Sequence, residues 1–241
     1  MPHDLQFESV RKVRKSGKTE SLLIFDNLNL TIPAGQHLAV VGRSGIGKST
    51  LLYLANRLEE PDSGRVLFGG TPLTGLEVTE HRRQVAMVMQ NACMFDGDVM
   101  DNVTYGDRIR RIPADTYRAM ELLEMVGIEA ALAHRPGTDL SVGQKHRITL
   151  ARTLYLEPKV LMLDETTASM DPKLAVMVLE NLVERSKKTG MTLIHVTHEV
   201  TKIRFAERVV LLEHGSIAED SDPQTFLDQP KTAEAREFLG K

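Results

Sequence analysis

The 241-residue sequence lacks the features of several large protein classes. Its only cysteine is Cys93, which excludes a disulfide-stapled scaffold and fits a reducing compartment. The longest apolar runs, such as Val85–Met89 and Val160–Leu163, have the length of a strand, and none approaches the roughly 20 residues that span a bilayer. The first four residues, Met1-Pro-His-Asp, do not contain the apolar core of a signal peptide. A net charge of −3 gives no general attraction to nucleic acid.

What remains is the composition of an ordinary globular protein, with 41% hydrophobic and 26% charged residues. Strand-like apolar segments alternate with helical patterns along most of the chain, which is typical of parallel βαβ units. Residues 5–40 are β-rich around a predicted turn at Ser16–Thr19, and residues 91–150 hold two helical patterns without a convincing strand. The sequence therefore predicts an α/β fold with a mainly parallel sheet, an N-terminal antiparallel β region and an inserted helical subdomain.

The segment Gly42–Ser49 matches the phosphate-binding pattern G-x-x-x-x-G-K-[ST] in full. An apolar strand, Leu38–Val41, precedes it and an amphipathic helical pattern follows it, as the pattern requires. Backbone N–H groups of such a loop point into one concavity, to which the helix adds its dipole. We expect Lys48 to reach the β- and γ-phosphates, Ser49 to bind Mg²⁺ and Thr50 to lie near the α-phosphate. The predicted nucleotide-binding residues of this segment are Gly42, Arg43, Ser44, Gly45, Ile46, Gly47, Lys48, Ser49 and Thr50.

A second apolar segment, Val160–Leu163, ends in Asp164 and Glu165. Ligands of parallel sheets bind at the carboxyl ends of the strands, so both carboxylates are expected near the phosphates. There Asp164 is expected to hold Mg²⁺, and Glu165 to reach a water that attacks the γ-phosphate. The two segments together predict a P-loop nucleoside triphosphatase, a class that includes kinases, GTPases, helicases and transporter motors.

Further motifs narrow this class. Leu140–Gln144 reads Leu-Ser-Val-Gly-Gln and resembles the LSGGQ signature of ABC ATPases, with Val142 in place of the first glycine. Other matches follow in the family's order: Gln90 as the Q-loop glutamine, Ala168–Asp171 as the D-loop and His198 as the switch histidine. The resemblance covers most of the chain, and six ordered motifs make it specific.

The resemblance implies a shared nucleotide site. Two chains pair head to tail and bury two ATP molecules, each between the phosphate loop of one chain and the signature of the other. Ser141, Gly143 and Gln144 then bind the ATP held by the partner, and Asp171 couples the two sites.

The resemblance also implies the catalytic residues and their cofactor. Glu165 is the general base or positions the attacking water, and His198 contacts the γ-phosphate and orients Glu165. Gln90 senses the γ-phosphate, and together with Ser49 and Asp164 it binds Mg²⁺.

The implied organisation is an ATP-binding core at residues 1–90 and 151–241, with a β-rich arm at 1–40, and a helical signature subdomain at 91–150. The resemblance implies a second copy of the chain as one partner. Since no apolar run is long enough to span a bilayer, the other expected partner is a separate transmembrane permease, docking near Gln90–Asp98 and the helical insert. A periplasmic binding protein is expected only for an importer, and no nucleic-acid partner is expected. The expected location is peripheral, on the cytoplasmic face of the inner membrane.

Short segments bear on the cargo. Asn56–Pro61 and Met94–Val103 resemble iron-export and aluminium-tolerance ATPases, which favours export of an iron-type metal ion. Phosphate importers are close neighbours, and Arg236–Leu239 resembles polar amino-acid importers. Non-transport roles are disfavoured: a DNA-repair ABC ATPase needs a coiled-coil insert, a translation factor needs a second cassette, and a small-molecule kinase has no reason to carry residues 140–144.

The sequence departs from the family's pattern at the expected site of the nucleobase. The family usually stacks adenine on an aromatic side chain upstream of the phosphate loop, in a slot that falls near Val13. No aromatic residue lies there. The sequence therefore leaves two alternatives open: the base is recognised weakly, or it is recognised by Arg14 or another side chain.

Overall fold

The computed structural model describes residues 3–16 and 20–241. In these two stretches the chain forms two β-sheets and ten α-helices. The predicted turn at Ser16–Thr19 falls on residues 17–19, outside the described part of the chain. The strands are β1 (Leu5–Ser16), β2 (Glu20–Ile32), β3 (His37–Val41), β4 (Ser63–Phe68), β5 (Thr71–Pro72), β6 (Val85–Val88), β7 (Val160–Asp164), β8 (Thr192–Val196), β9 (Arg208–Glu213) and β10 (Ser216–Ser221). The helices are α1 (Lys48–Ala55), α2 (Val78–Gln84), α3 (Val99–Val103), α4 (Tyr105–Arg110), α5 (Thr116–Met125), α6 (Val142–Tyr155), α7 (Pro172–Thr189), α8 (Val200–Ile203), α9 (Pro223–Asp228) and α10 (Ala233–Leu239).

The larger sheet has the strand order β10-β9-β3-β8-β7-β6. Its neighbouring strands are parallel except at the edge, where β10 pairs with β9 in the antiparallel direction. All five residues of each of β3, β7 and β8 are buried, as expected when helices or a second sheet cover both faces. The predicted α/β fold with a mainly parallel sheet is confirmed. The carboxyl ends of β3 and β7, where the phosphate loop and Asp164 lie, are thereby held on one edge of the sheet.

The smaller sheet is antiparallel, with the order β2-β1-β4-β5. It differs from the predicted arm at residues 1–40 in two ways: β3 belongs to the parallel sheet, and residues 63–72 supply β4 and β5. A short apolar segment does not itself reveal which sheet it joins. Here β4 pairs with β1, placing Phe68 opposite Leu5.

Residues 99–155 supply α3 to α6, which surround a second apolar core containing Val103, Leu123 and Ile148. The side chain of Asp115 accepts a hydrogen bond at the start of α5, as expected for an N-cap. The predicted boundary at residue 150 falls inside α6, which continues to Tyr155. Helices α3 and α4 were not anticipated, because five and six residues are too few to show a helical period.

None of the helices within residues 3–16 and 20–241 combines the length and the apolarity needed to cross a lipid bilayer.

Candidate functional site

The loop between β3 and α1 requires glycine at two positions. Gly42 has φ 147°, and a Cβ atom there would lie 2.6 Å from the carbonyl oxygen of Leu212. Gly47 has φ 115°, and a Cβ atom there would lie 2.7 Å from Cγ2 of Ile24. Both the backbone angle and the close neighbours therefore exclude larger residues, which explains these two glycines of the phosphate-binding pattern.

Helix α1 begins directly after this loop, and Gly47 gives its N-terminus no side-chain cap. The backbone N–H groups of the first turn are therefore not occupied by a capping side chain, and a helix N-terminus of this kind favours an anionic ligand. Lys48 is buried, and its Nζ donates hydrogen bonds to the carbonyl oxygens of Gly42 (2.8 Å) and Arg43 (2.9 Å). Burial lowers the pKa of the Lys48 ammonium, while the carboxylates of Glu165 and Asp164 act in the opposite direction.

Asp164 lies at the end of β7 and is only 4% exposed. Burial raises the pKa of its carboxyl, and neighbouring Glu165 acts in the same direction, while a hydrogen bond from Ser49 and the charge of Lys48 oppose the rise. A buried carboxylate whose negative charge is incompletely compensated fits a divalent cation. The Asp164 carboxylate and the Ser49 hydroxyl are the oxygen donors that Mg²⁺ prefers.

Glu165 follows in a left-handed backbone conformation with φ 49°. For a residue other than glycine this conformation costs on the order of 1–3 kcal/mol, a strain that is common at functional sites. The Oε1 atom of Glu165 lies 3.6 Å from Nδ1 of the exposed His198, which follows β8. The predicted pair of Glu165 and its orienting histidine is therefore brought together by β7 and β8.

Lys48, Asp164 and Glu165 line one cavity of about 160 Å³, whereas His198 does not line it. Its walls are formed by Arg14, Ser44, Gly45, Gly47, Lys48, Ser49, Thr50, Gln90, Asp164 and Glu165. The sequence predicts all of these except Arg14 as nucleotide-site residues, and it offers Arg14 as one candidate for contact with the base. The remaining loop residues, Gly42, Arg43 and Ile46, do not line it, and the Arg43 guanidinium instead pairs with the carboxylate of Glu237 in α10.

The predicted signature residues do not line that cavity. Ser141 caps α6 through a reciprocal pair: its Oγ accepts from the backbone N–H of Gln144 at 3.3 Å, and Gln144 Oε1 accepts from the N–H of Ser141 at 2.8 Å. Asp171 similarly caps α7, with its Oδ1 accepting from the N–H of Lys173 at 3.0 Å. Gly143 lies in the first turn of α6, where a Cβ atom would be 3.1 Å from the carbonyl oxygen of Ser169.

Arg14, the candidate that the sequence offers for contact with the base, lines the cavity. Its Nη2 donates to Thr50 Oγ1 at 3.1 Å and to Glu59 Oε1 at 2.9 Å, which directs the guanidinium to the end of the cavity formed by Thr50. The register of the pairing between β1 and β2 shifts between Lys12 and Val13. Leu22 lies opposite Arg14 in the β1–β2 pairing, so the two side chains share one face of the hairpin.

A sequence profile of the ABC transporter family matches residues 25–168, more than half of the chain. The chain belongs to the ABC transporter family. It is 40% identical over 232 residues to Protein STAR1 of Oryza sativa subsp. japonica, covering 95% of this chain and 66% of that protein. It is also 40% identical over 222 residues to the glutamate transport ATP-binding protein GluA of Corynebacterium efficiens, covering 89% of this chain and 91% of that one.

A solved structure agrees with this family assignment. The ATP-binding cassette MJ0796, determined as a dimer in a post-hydrolysis state with ADP and Pi, superimposes with a TM-score of 0.83 at 27% identity. The match covers 91% of this chain and 98% of that cassette. The chain is thus an ATP-binding cassette and an ATPase. This confirms the predicted family. The roles of individual residues stay predictions.

Proposed function

We propose that this ABC cassette hydrolyses ATP to drive transport through a membrane permease. The observation that carries this is the division of the predicted nucleotide residues between two places: the phosphate loop, Asp164 and Glu165 line one cavity, whereas Ser141 and Gly143 lie at a helix start outside it. A chain built in this way presents one half-site for its own nucleotide and another for that of a partner.

At its own cavity, the loop N–H groups and Lys48 bind the β- and γ-phosphates of ATP. Ser49, Gln90 and Asp164 would hold Mg²⁺, which neutralises phosphate charge when it is bound. Glu165 takes a proton from the attacking water or holds that water in place, and His198 orients the Glu165 carboxylate. The 3.6 Å separation of the two side chains supports this pairing.

In the proposed dimer, each chain supplies Ser141, Gly143 and Gln144 to the ATP of the other, and Asp171 couples the two sites. Support comes from their position at or near helix N-termini outside the chain's own cavity, because a helix N-terminus favours an anion. The dimeric cassette MJ0796 offers a precedent for such pairing.

A mixing experiment tests the shared site. Chains carrying Ser141→Arg and chains carrying Lys48→Ala should each be inactive, but a mixed dimer contains one intact phosphate loop facing one intact signature. Random pairing then recovers up to about a quarter of the wild-type ATPase rate, since half of the pairs are mixed and each has one of two sites. The steady-state rate of phosphate release measures this. A mixture no faster than its parents would contradict the shared site.

We further propose that the nucleobase stacks on the Arg14 guanidinium. No aromatic residue occurs between Phe7 and Phe25, so this part of the chain offers no ring for the base. A planar guanidinium is an alternative platform for an aromatic ring, and the 56% exposed Leu22 extends it with an apolar surface on the same face. Glu59 and Thr50 hold the Arg14 side chain at the cavity.

We expect Arg14→Ala to weaken ATP binding about two- to thirty-fold, the range that corresponds to a cation–π contact. Binding of inorganic tripolyphosphate, which has no base, should be unchanged.

The chain contains no tryptophan, so the fluorescence of Arg14→Trp should respond to ATP but not to tripolyphosphate. Arg11→Ala is the matched control, since Arg11 is an exposed arginine of the same strand that faces Asp26 at 4.0 Å. Equal losses for ATP and tripolyphosphate would instead assign Arg14 to the phosphates.

The proposed permease contact is a groove of about 360 Å³ beside the loop that contains Gln90. Phe95 and Tyr105 stack in it with ring centroids 3.8 Å apart, and Arg152 lies over Phe95. Ile109 in this groove is 63% exposed. An exposed apolar lining with arginines at its edge fits a helical segment of a membrane protein, which would place the cassette peripherally on the cytoplasmic face of the membrane.

The relatives differ in their named functions. Protein STAR1 and GluA share the same 40% identity with this chain, and methionine import ATP-binding proteins MetN follow at 33–38%. The STAR1 match supports the aluminium-tolerance part of the predicted subgroup, whereas the names of GluA, a glutamate transport protein, and MetN, a methionine import protein, favour an importer. We therefore extend the proposal to transport but not to one cargo or direction.

A further inference from the structure

His146 is a buried histidine in the first half of α6, and its imidazole contacts two other segments. Its Nε2 lies 2.6 Å from the carbonyl oxygen of Gln90, in the loop after β6. Its Nδ1 lies 2.9 Å from Oγ of Ser169, in the short 3₁₀ turn Thr166–Ser169 that follows Glu165. The same Nδ1 lies 3.1 Å from the carbonyl oxygen of Val142, in the first turn of its own helix.

The chemistry of these partners defines the hydrogen bonds of the neutral imidazole. A carbonyl oxygen only accepts, so Nε2 carries the proton and donates to Gln90. Nδ1 then accepts from the hydroxyl of Ser169, and its 3.1 Å contact with the carbonyl oxygen of Val142 is not a hydrogen bond, because neither atom carries a proton. One rigid ring thereby joins residues that are 56 and 23 positions away in the sequence.

Each segment that meets at His146 carries a residue of the proposed ATPase mechanism. The loop after β6 places Gln90 in the cavity of the chain itself, and the 3₁₀ turn lies between Glu165 and Asp171. The first turn of α6 presents Ser141 and Gly143. That turn also packs directly on the 3₁₀ turn, since a Cβ atom at Gly143 would lie 3.1 Å from the carbonyl oxygen of Ser169.

We infer that His146 is a positioning residue that couples the ATP site of the chain to the half-site it presents to its partner. The imidazole keeps the Gln90 loop, the signature turn and the turn after Glu165 in one relative arrangement. Movement of the Gln90 loop is thereby transmitted to Ser141 and Gly143. This inference rests on the proposed function, because only an ATP-driven dimer gives the second half-site a ligand.

The test compares His146→Ala with His146→Gln. His146→Ala removes both bonds and should lower kcat about ten-fold, the effect of losing two hydrogen bonds from one buried group. The Kd for ATP should stay within about two-fold of the wild type, because no phosphate ligand is removed. The amide of His146→Gln can donate to Gln90 and accept from Ser169, so it should restore most of kcat. The shorter His146→Asn, which does not span the two partners, should not.

A double-variant comparison separates coupling from stability. If Ser169 acts through His146, then His146→Ala with Ser169→Ala should have the same kcat as His146→Ala alone. Thr153→Ala is the matched control on the same helix, since its hydroxyl donates only within α6, to the carbonyl oxygen of Thr149 at 2.8 Å. It should lower Tm without changing kcat.

Two results overturn the inference: a wild-type kcat in His146→Ala, or equal kcat in the Gln and Asn variants. A wild-type chain that binds no ATP would instead overturn the proposed function. If His146→Ala does not fold, the kcat values of His146→Gln, His146→Asn and Ser169→Ala are sufficient to test the coupling role of His146.

Discussion

Glu165→Gln is expected to hydrolyse ATP about 10²–10⁴-fold more slowly than the wild type, which is the usual contribution of a general base. The amide has the shape of the carboxylate but does not accept a proton from water. The phosphate loop and Lys48 are unchanged, so ATP binding should be nearly unaffected. Because the complex forms but does not turn over, the variant should accumulate as an ATP-bound dimer.

Two measurements check this expectation: the rate of phosphate release, and the elution volume in size-exclusion chromatography with and without ATP. Glu157→Gln is the matched control, since Glu157 also has a left-handed backbone, with φ 52°, but pairs with Arg118 away from the phosphate cavity. A change in backbone strain alone would affect both variants, whereas loss of the base affects only Glu165→Gln. Turnover near the wild-type rate would remove Glu165 from the catalytic role.

The parts of this site that the sequence predicts are those that depend on neighbouring residues. The phosphate loop follows from the pattern at Gly42–Ser49, because Gly42 and Gly47 adopt positive φ angles that glycine adopts most readily. The caps that Asp115 and Asp171 form are equally local, because a cap needs only the N–H groups two or three residues onward. Asp164 follows a buried strand, and the parallel sheet then places it at the same edge as the phosphate loop.

The parts that escape prediction depend on pairing between distant segments. The irregularity in β1 between Lys12 and Val13 alters the register, and a shift of one residue exchanges the faces of a strand. The sequence therefore offers Arg14 only as one candidate for the base, and the fold places it at the cavity. His146 likewise reads from the sequence as one more residue of an amphipathic helix, and only the fold brings it to Gln90 and Ser169.

Lys48→Ala is expected to weaken ATP binding about ten- to hundred-fold, since a hydrogen bond to a charged group contributes about 1.5–3 kcal/mol. Hydrolysis should fall below detection, because the γ-phosphate is the proposed ligand of the same ammonium, whose charge also acts on the carboxylates of Asp164 and Glu165. Its loss also removes a positive charge that opposes the raised pKa of Asp164, so that the pKa should rise further and weaken the Mg²⁺ ligand. Titration with ATP and Mg²⁺, monitored by calorimetry, measures both effects.

Lys48 also has a structural role, because its Nζ bonds to the carbonyl oxygens of Gly42 and Arg43 within the loop. Lys202→Ala separates that role from binding, since Lys202 is a second buried lysine, 4% exposed, whose ammonium pairs with Glu199. Both variants should lower Tm, as expected when a buried bonded lysine is removed, but only Lys48→Ala should lose affinity for ATP. Tripolyphosphate should lose as much affinity as ATP, because Lys48 meets the phosphates and not the base. Unchanged affinity in Lys48→Ala would contradict the phosphate cradle itself, and with it every role assigned to the cavity around it.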